Sequence, residues 1–312
     1  YKGVMAPRIE KIIYAPGTQA LGASAEQPQI TLAAYLANDY YHTGPYSIPN
    51  ISDLRRAQQD VPDELHSYPH FQTYYVGMNT FKPPFDNLKV RQAFSHAIDR
   101  EALARDLYRD TATPAYGLLV PGAPAFDPEW EPYPYDVEKA KALLAEAGFP
   151  DGFETTIKVS PAYAELAGEA AVDQEALKAV GINAQIVNLE WGTFINDVFG
   201  NHDFDMQVCG WGGPFIDPDE FLYPEFHSDQ GFNPHLFADP EVDKLLEEGR
   251  TTFEREGRKE VYRKAQEQIF TLAPVAAGTN NKLIQAQQDY VEGFTPLPTG
   301  LMRWVREAWL NK

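Results

Sequence analysis

The clearest hydrophobic pattern in the chain lies just after the Pro83-Pro84 pair. Apolar residues recur there with the spacing of one helical face, at Val90, Ala93, Phe94, Ala97 and Ile98. A stripe of this kind predicts an amphipathic helix packed against a core. Asp86 or Asn87 can cap the start of this helix, and Asp99 can cap a second helix directly after it. The pattern therefore predicts an extended segment, a proline turn and two consecutive helices.

Strand and helix patterns alternate over the middle of the chain. Apolar positions alternate from Phe153 to Val159, which is typical of a strand. The predicted order is a helix from Asp136 to Gly148, a strand at 153–159, a helix at 163–180, a strand at 184–189, a helix at 193–199 and a strand at 204–210. Because strands and helices alternate in this way, we predict parallel α/β units and the α/β fold class.

The remaining segments are less regular. Strands are predicted at 9–14, 29–36, 71–78 and 274–279, helices at 254–272 and after Asp239-Pro240, a Pro-rich surface loop at 114–134, and a closing segment at 301–310. Val242, Leu245 and Leu246 form the predicted buried face of the helix that follows Asp239. No internal repeat is found.

One predicted loop has the position of a ligand site. Gly210-Trp211-Gly212-Gly213-Pro214 follows a strand and precedes a helix start at Asp217, and Trp191 ends the neighbouring predicted strand. Ligands of open α/β sheets bind at such strand ends. Core packing is the alternative role for both tryptophans. For Asp217 and Asp219 the alternative is capping of the helix, since they stand at its N-cap and first turn.

Composition narrows the function classes. The chain has 312 residues, of which 44% are hydrophobic and 23% charged, so it can bury a sizeable core and by length has about two domains. Its net charge of −19 argues against nucleic acid and anionic membranes as partners. The acidity serves solubility or creates a field that attracts cationic ligands. A single cysteine, Cys209, excludes a disulfide framework and a thiolate zinc site.

Enzyme signatures are absent from the sequence. It has no phosphate-binding Gly-x-x-x-x-Gly-Lys loop, no Gly-x-Ser-x-Gly elbow and no His-Glu-x-x-His helix. Pro69 lies between His66 and His70 and argues against a metal-binding helix there. Cys209 lies in an apolar strand, as expected of inert core. One enzymatic alternative stays open, a carboxylate pair of glycosidase type drawn from Glu190, Asp203, Asp205 and Asp217.

Several motifs resemble one family, the family 5 solute-binding proteins of bacterial ABC importers, which carry peptides, nickel complexes or oligosaccharides. The motifs are MNTFKPPFD at 78–86, VRQA at 90–93, AIDR at 97–100, YPYDVEKAKALLAEAGFPDG at 133–152, LEWGTF at 189–194, FDM at 204–206, GWGG at 210–213 and DPD at 217–219. The segment before Tyr74 is less distinctive. The resemblance nevertheless extends over nearly the whole chain.

The resemblance implies a fold of two α/β lobes, the periplasmic-binding-protein type II architecture of cluster C. Residues 1–80 would be an incomplete part of lobe one, 81–282 would form lobe two, and 283–312 would return to lobe one. The N-terminal part of lobe one and a signal peptide would precede residue 1. Localisation in the periplasm or on the extracellular face of the cytoplasmic membrane follows from the same resemblance.

The implied function is capture of an oligopeptide-like solute in a cleft between the lobes, and its delivery to a membrane ABC permease. The protein would be a monomer and a lipoprotein, with no cofactor, no metal and no catalytic residue. An oligosaccharide-binding member of the same family is the alternative. Alternatives of another class are a glycan-active hydrolase and a surface receptor without a transport role.

The implied ligand-binding residues are Trp191, Trp211, Gly212, Gly213, Pro214, Phe215 and Asn79. In the family, the tryptophans at the two motif positions face the ligand cleft. Peptide binders of the family carry an aspartate, which pairs with the terminal ammonium of the ligand, where this chain has Pro214. Proline has no charge and no backbone donor. We therefore expect weak discrimination between free and acetylated peptide N-termini, or a preference for neutral ligands such as oligosaccharides.

Overall fold

The computed structural model describes residues 27–39, 43, 51–109, 111–213, 215–294 and 309–311. The strand predicted at 9–14 and most of the closing segment lie outside the described residues. The chain forms two compact units, residues 1–70, 162–165 and 282–312 in the first and residues 71–161 and 166–281 in the second. Among the described residues, no helix is both long enough and apolar enough to cross a membrane.

Ten helices and eight strands are found in the described residues. The helices are α1 (Gln27–Leu36), α2 (Ile51–Asp60), α3 (Leu88–Ala97), α4 (Arg100–Ala102, continued by a π turn at Leu103–Leu107), α5 (Val137–Glu146), α6 (Ala164–Ala179), α7 (Trp191–Ile195, continued by a π turn at Asn196–Gly200), α8 (Pro218–Phe226), α9 (Pro240–Thr251) and α10 (Arg255–Leu272). The strands are β1 (Leu65–Met78), β2 (Ala112–Pro114), β3 (Phe153–Val159), β4 (Ile182–Asn188), β5 (Met206–Gly212), β6 (Val275–Ala286), β7 (Val291–Glu292) and β8 (Trp309–Leu310).

The first unit contains α1 and α2 and a small core formed by Leu32, Tyr35, Leu54, Ala57, Ile284 and Ala286. The prediction of a strand at 29–36 was wrong, since this segment belongs to α1. Leu32 and Tyr35 are buried three residues apart, as on one helical face. The β-branched pair Ile30-Thr31 suggested a strand, but tertiary packing of Leu32 and Tyr35 overrides that local preference.

The main sheet has the strand order β2-β6-β1-β5-β3-β4. β3 pairs in parallel with β4 and with β5, whereas β1 is antiparallel to β5 and β2 is antiparallel to β6. The predicted parallel α/β units are therefore confirmed. The prediction that the strand before Trp191 neighbours the strand of the Trp211 motif was wrong, because β3 lies between β4 and β5.

The caps predicted from the sequence are confirmed. The Asn87 side chain accepts a hydrogen bond from the Lys89 amide at the start of α3, and Asp99 accepts one from the Ala102 amide at α4. Asp136 accepts from the Lys139 amide at the start of α5. The predicted apolar stripe is buried along its whole length, at Val90, Ala93, Phe94, Ala97 and Ile98.

Two buried arginines explain why the VRQA and AIDR motifs matter to the fold. Arg91 donates three hydrogen bonds, two to the carbonyl of Leu272 at the end of α10 and one to the carbonyl of Phe85. Arg100 donates to the carbonyls of Ser95, Ile98, Tyr133 and Ala277, at 2.7–3.3 Å. Both side chains tie distant backbone segments of the second unit together.

The prediction of a surface loop at 114–134 was wrong. Leu118, Leu119, Val120, Ala123 and Ala125 are all buried in the largest core of the second unit. They pack with helices α8, α9 and α10, whose contributions include Phe221, Leu246 and Ile269. Proline content suggested exposure, but the apolar residues between the prolines decide the burial of this segment.

Candidate functional site

A cleft of about 750 Å³ lies in the second unit, at the point where β5 leads into α8. Its lining residues are Phe71, Pro124, Phe215, Ile216, Asp217, Asp219, Glu220 and Arg258. The volume is in the range of small-molecule sites, and an apolar wall with a few charged groups is typical of them. Phe215 is 64% exposed, although it is a large apolar side chain. The cleft is thus a candidate ligand site.

Two of the three cleft carboxylates have partners within the fold. Arg258 donates to both oxygens of Asp217, at 2.8 and 2.9 Å. Burial opposes ionisation of Asp217, but the hydrogen bonds from Arg258 and the Asp219 amide outweigh it and lower its pKa. Asp219 accepts a hydrogen bond of 2.8 Å from the Tyr262 hydroxyl, and Arg250 lies 3.7 Å away. The charge of Arg258 is therefore already balanced within the cleft.

Glu220 is the carboxylate that remains available. It makes no side-chain hydrogen bond and no ion pair with a described residue. Burial, and then the charges of Asp219 and Asp217, raise the pKa of Glu220. The side chain lies over Gly213, where a Cβ would be 2.2 Å from Glu220 Cγ and 2.3 Å from Oε1. A glycine is therefore needed at 213 for Glu220 to occupy this place in the cleft.

Local sequence explains how Glu220 is positioned. Asp217 caps α8 by accepting from the Asp219 amide, and Pro218 follows at the first helical position, where proline is favoured. Trp211 in β5 donates its indole Nε1–H to the backbone carbonyl of Glu220 at 2.7 Å. The first turn of α8 is thus fixed against the end of β5.

Sequence reasoning missed Glu220 for a physical reason. The spacing Asp217-x-x-Glu220 matches a capping box, in which the glutamate would bond back to the backbone of the cap residue. The structure shows no such bond between these two residues, and the carboxylate lies over Gly213 instead. Phe71 and Arg258 were missed because they are far from the loop in sequence.

The structure brings several of the predicted site residues together. Phe215 lines the cleft, Gly213 lies under Glu220, and Trp211 holds the backbone of Glu220. The prediction that residues 210–212 form a loop was wrong, because β5 extends to Gly212, which pairs with Gln72 of β1. Pro214 lies outside the described residues.

Trp191 and Asn79 lie outside the lining of the cleft. Trp191 begins α7, two residues earlier than predicted, and its ring stacks on Phe194 at a centroid distance of 5.5 Å. Asn79 is buried and donates to the carbonyls of His202 and Phe204, and its Oδ1 accepts from the Phe81 amide. Both side chains stabilise their own surroundings, and a ligand role for either stays a prediction.

The carboxylates considered for a glycosidase pair have other partners. Asp205 pairs with Lys82 at 2.6 Å, and Asp203 pairs with Lys158 at 3.2 Å. Glu190 caps α7 by accepting from the Thr193 amide. Asp217 pairs with Arg258 across the cleft. Structural roles therefore account for all four carboxylates.

Cys209 is an unreactive thiol, and the described residues include no candidate metal site. Cys209 is buried, and burial together with the Glu225 charge raises the pKa of its thiol to about 12, so it stays protonated. In the part of the chain that the structure describes, no three His, Cys, Asp or Glu residues are arranged to hold a metal ion.

Comparison with known proteins identifies the family. The family model described as bacterial extracellular solute-binding proteins, family 5 Middle, matches residues 1–233. The chain is 32% identical over 258 residues to heme-binding protein A of Haemophilus influenzae, covering 81% of this chain and 47% of that protein. It is 31% identical over 264 residues to the dipeptide-binding protein of Escherichia coli, covering 82% and 49%.

A solved structure agrees with this assignment. The dipeptide-binding protein of Pseudoalteromonas sp. SM9913, in complex with Met-Leu, superposes with a TM-score of 0.79 and 31% identity, over 91% of this chain and 56% of that one. The chain belongs to the family 5 extracellular solute-binding proteins and has their periplasmic-binding-protein fold. It spans about half the length of the curated relatives it matches. Both curated relatives are named as binding proteins, and neither is named as an enzyme.

Proposed function

We propose that the protein is the solute-binding component of an ABC importer and captures an oligopeptide-like solute outside the cytoplasmic membrane. The observation that carries this proposal is the family match over residues 1–233, combined with a ligand-sized cleft beside the GWGG motif. Relatives named for binding a dipeptide support a peptide-like solute. A membrane permease would be the partner that receives the solute, and the protein would act as a monomer.

The proposed site consists of Gly213, Phe215 and Glu220, supported by Trp211. Phe215, Phe71 and Ile216 provide apolar surface for the body of a solute. Glu220 provides a carboxylate without a partner among the described residues, which suits a ligand ammonium group. Pro214 led us to expect weak discrimination between free and acetylated peptide N-termini. Glu220 revises this expectation, because it can supply the negative charge that the aspartate supplies in peptide binders of the family. For Trp191 we propose the alternative role, core packing, because its ring stacks on Phe194 and packs against the small core around it.

The lobe assignment is part of the same proposal. Residues 1–80 and 283–312 would belong to one lobe of the binding protein, and residues 81–282 to the other. The periplasm, or the extracellular face of the cytoplasmic membrane, would be the place of action. An oligosaccharide would bind to the same aromatic surface by ring stacking, but a neutral oligosaccharide would form no ion pair with Glu220.

Isothermal titration calorimetry of the full-length protein tests the proposal. A dipeptide with a free amino group is compared with its N-acetylated form, on the wild type and on Glu220→Gln. We expect acetylation to weaken wild-type binding by about 1–3 kcal/mol, the scale of a charged hydrogen bond, and to have little further effect on Glu220→Gln. Equal affinities of the wild type for both dipeptides would contradict the role of Glu220, and absence of binding to either would contradict the peptide assignment.

A further inference from the structure

A second cavity of the second unit, with a volume of about 420 Å³, shares no lining residue with the cleft. We name it the side pocket. Its lining residues are Glu101, Thr113, Pro114, Tyr116, Gly117, Leu119, Pro121, Phe126, Asp127, Pro128, Trp130 and Gln266. The volume again lies in the range of small-molecule sites. Nothing in the proposed solute capture uses this cavity.

The aromatic wall of the side pocket is held by the core behind it. Trp130 packs edge-on against Phe270, with ring centroids 5.3 Å apart and an interplanar angle of 83°. Phe126 and Trp130 both lie against the main core of the unit. A Cβ on Gly117 would lie 2.9 Å from Trp130 and 2.6 Å from Gln266, so both side chains pack closely on the backbone there. The aromatic wall is therefore preformed by its packing against the core.

Gln266 is a buried polar side chain with an unused donor. It is only 3% exposed, and its Oε1 accepts a hydrogen bond of 3.3 Å from the Leu119 amide. Because a backbone N–H can only donate, this contact fixes the orientation of the side-chain amide. The NH₂ group makes no hydrogen bond with a described residue. Because Gln266 lines the side pocket, this NH₂ group can donate to an acceptor atom of a bound molecule.

The charge of the side pocket is negative. Glu101 and Asp127 line it, and its described lining includes no lysine, arginine or histidine. Burial, and then Glu131 and Glu101, raise the pKa of Tyr116 to about 12, so its ring is neutral. The guanidinium of Arg100 lies 5.6 Å from the centroid of this ring, but it is buried and donates to four backbone carbonyls. Carboxylates beside aromatic rings attract cations.

We propose that the side pocket is a second binding site, specific for small organic cations. The ammonium or guanidinium group of the ligand would lie near Glu101 and Asp127. Its apolar body would pack against Trp130 and Phe126, and an acceptor atom would meet the Gln266 amide. This site is independent of solute capture in the cleft, since the two cavities have no residue in common.

Calorimetry with two probes of nearly equal shape tests this inference. The probes are 2-phenylethylammonium and the neutral 2-phenylethanol, each titrated into the full-length protein. We expect the cation to bind at least about fivefold more tightly, the effect of one exposed charge pair of about 1 kcal/mol. Glu101→Gln and Asp127→Asn should each weaken binding of the cation by a similar factor and leave the affinity for the alcohol unchanged. Asn at 127 keeps the acceptor for the Glu129 amide.

Two controls locate the effect. Glu129→Gln removes one negative charge from an exposed residue of the same segment that does not line the pocket, and it should leave cation binding unchanged. Glu220→Gln should also leave it unchanged, because Glu220 belongs to the cleft. Denaturation midpoints show that each variant is folded. Equal binding of both probes, no binding of the cation, or loss of binding in Glu220→Gln alone would overturn the inference.

Discussion

Trp211 and Glu220 are joined by a hydrogen bond of 2.7 Å from the indole Nε1 to the backbone carbonyl. Trp211→Phe keeps an aromatic ring and removes this donor. We predict a stability loss of about 1 kcal/mol, together with weaker solute binding because the first turn of α8 can then shift. Urea denaturation and calorimetry on the same samples measure both effects. Trp191→Phe is the comparison, for which solute affinity should not change, and an equal loss of affinity in both variants would contradict the proposed site.

Gly213→Ala tests the position of Glu220 without altering any charge. The new Cβ would meet Glu220 Cγ at 2.2 Å and displace the carboxylate from its place in the cleft. We predict at least about a fivefold loss of affinity for a dipeptide with a free amino group, equivalent to about 1 kcal/mol. The control is Gly231→Ala, where nothing lies within 4 Å of a new Cβ. Unchanged binding in Gly213→Ala would mean that Glu220 does not contact the solute.

Arg100→Lys tests the structural role of the AIDR motif. A lysine ammonium cannot reach the four carbonyls that the guanidinium contacts, so buried acceptors lose their partners. We predict a loss of at least about 2 kcal/mol in the free energy of unfolding, measured by urea denaturation. Arg105→Lys is the control, because the described partner of Arg105 is Asp106 in an exposed ion pair, and this substitution should leave the free energy of unfolding nearly unchanged. Similar losses in both variants would contradict the role of Arg100.

Glu225 should make stability depend on pH. Its carboxyl is fully buried, and burial raises its pKa from 4.5 to about 8, although a hydrogen bond from Tyr75 of 2.6 Å opposes the rise. The folded state therefore keeps a proton that the unfolded state releases. The contribution of the protonated Glu225 carboxyl to the free energy of unfolding is complete below pH 4.5 and is lost as the pH rises through about 8.

Glu225→Gln replaces the protonated acid with a neutral group of similar shape. Relative to wild type, we predict that the variant gains more than about 1 kcal/mol of stability between pH 5 and pH 8, as measured by urea denaturation at each pH. Glu248→Gln, at an exposed position on α9, should show no such trend. A constant difference between Glu225→Gln and wild type over this range would show that Glu225 is ionised in the fold.

Much of the second unit could be predicted from sequence because its signals are local. The caps at Asn87 and Asp136, and the apolar alternation of β3, each depend on a few consecutive residues. Strand order does not depend on a few consecutive residues. The position of β3 between β4 and β5 depends on how the connecting segments pack. α1 was mistaken for a strand because the burial of Leu32 and Tyr35 overrides the local preference of Ile30 and Thr31.

The candidate site was predictable only in part. The loop after β5 indicated Gly213 and Phe215, since ligands gather at strand ends. Glu220 was not predicted because its spacing from Asp217 also fits a capping box. Phe71 was not predicted because it lies in a strand more than a hundred residues before the loop. Contacts between segments this far apart leave no periodic signal in the sequence.

Native mass spectrometry of the full-length protein tests the central claim most directly. The protein is purified without denaturation and then incubated with an equal mixture of dipeptides and short oligosaccharides. We predict a bound mass that fragmentation identifies as a dipeptide with a free amino group, at much lower occupancy in Glu220→Gln than in the wild type. A bound oligosaccharide, or equal occupancy by dipeptide in both proteins, would contradict capture of a peptide-like solute through Glu220.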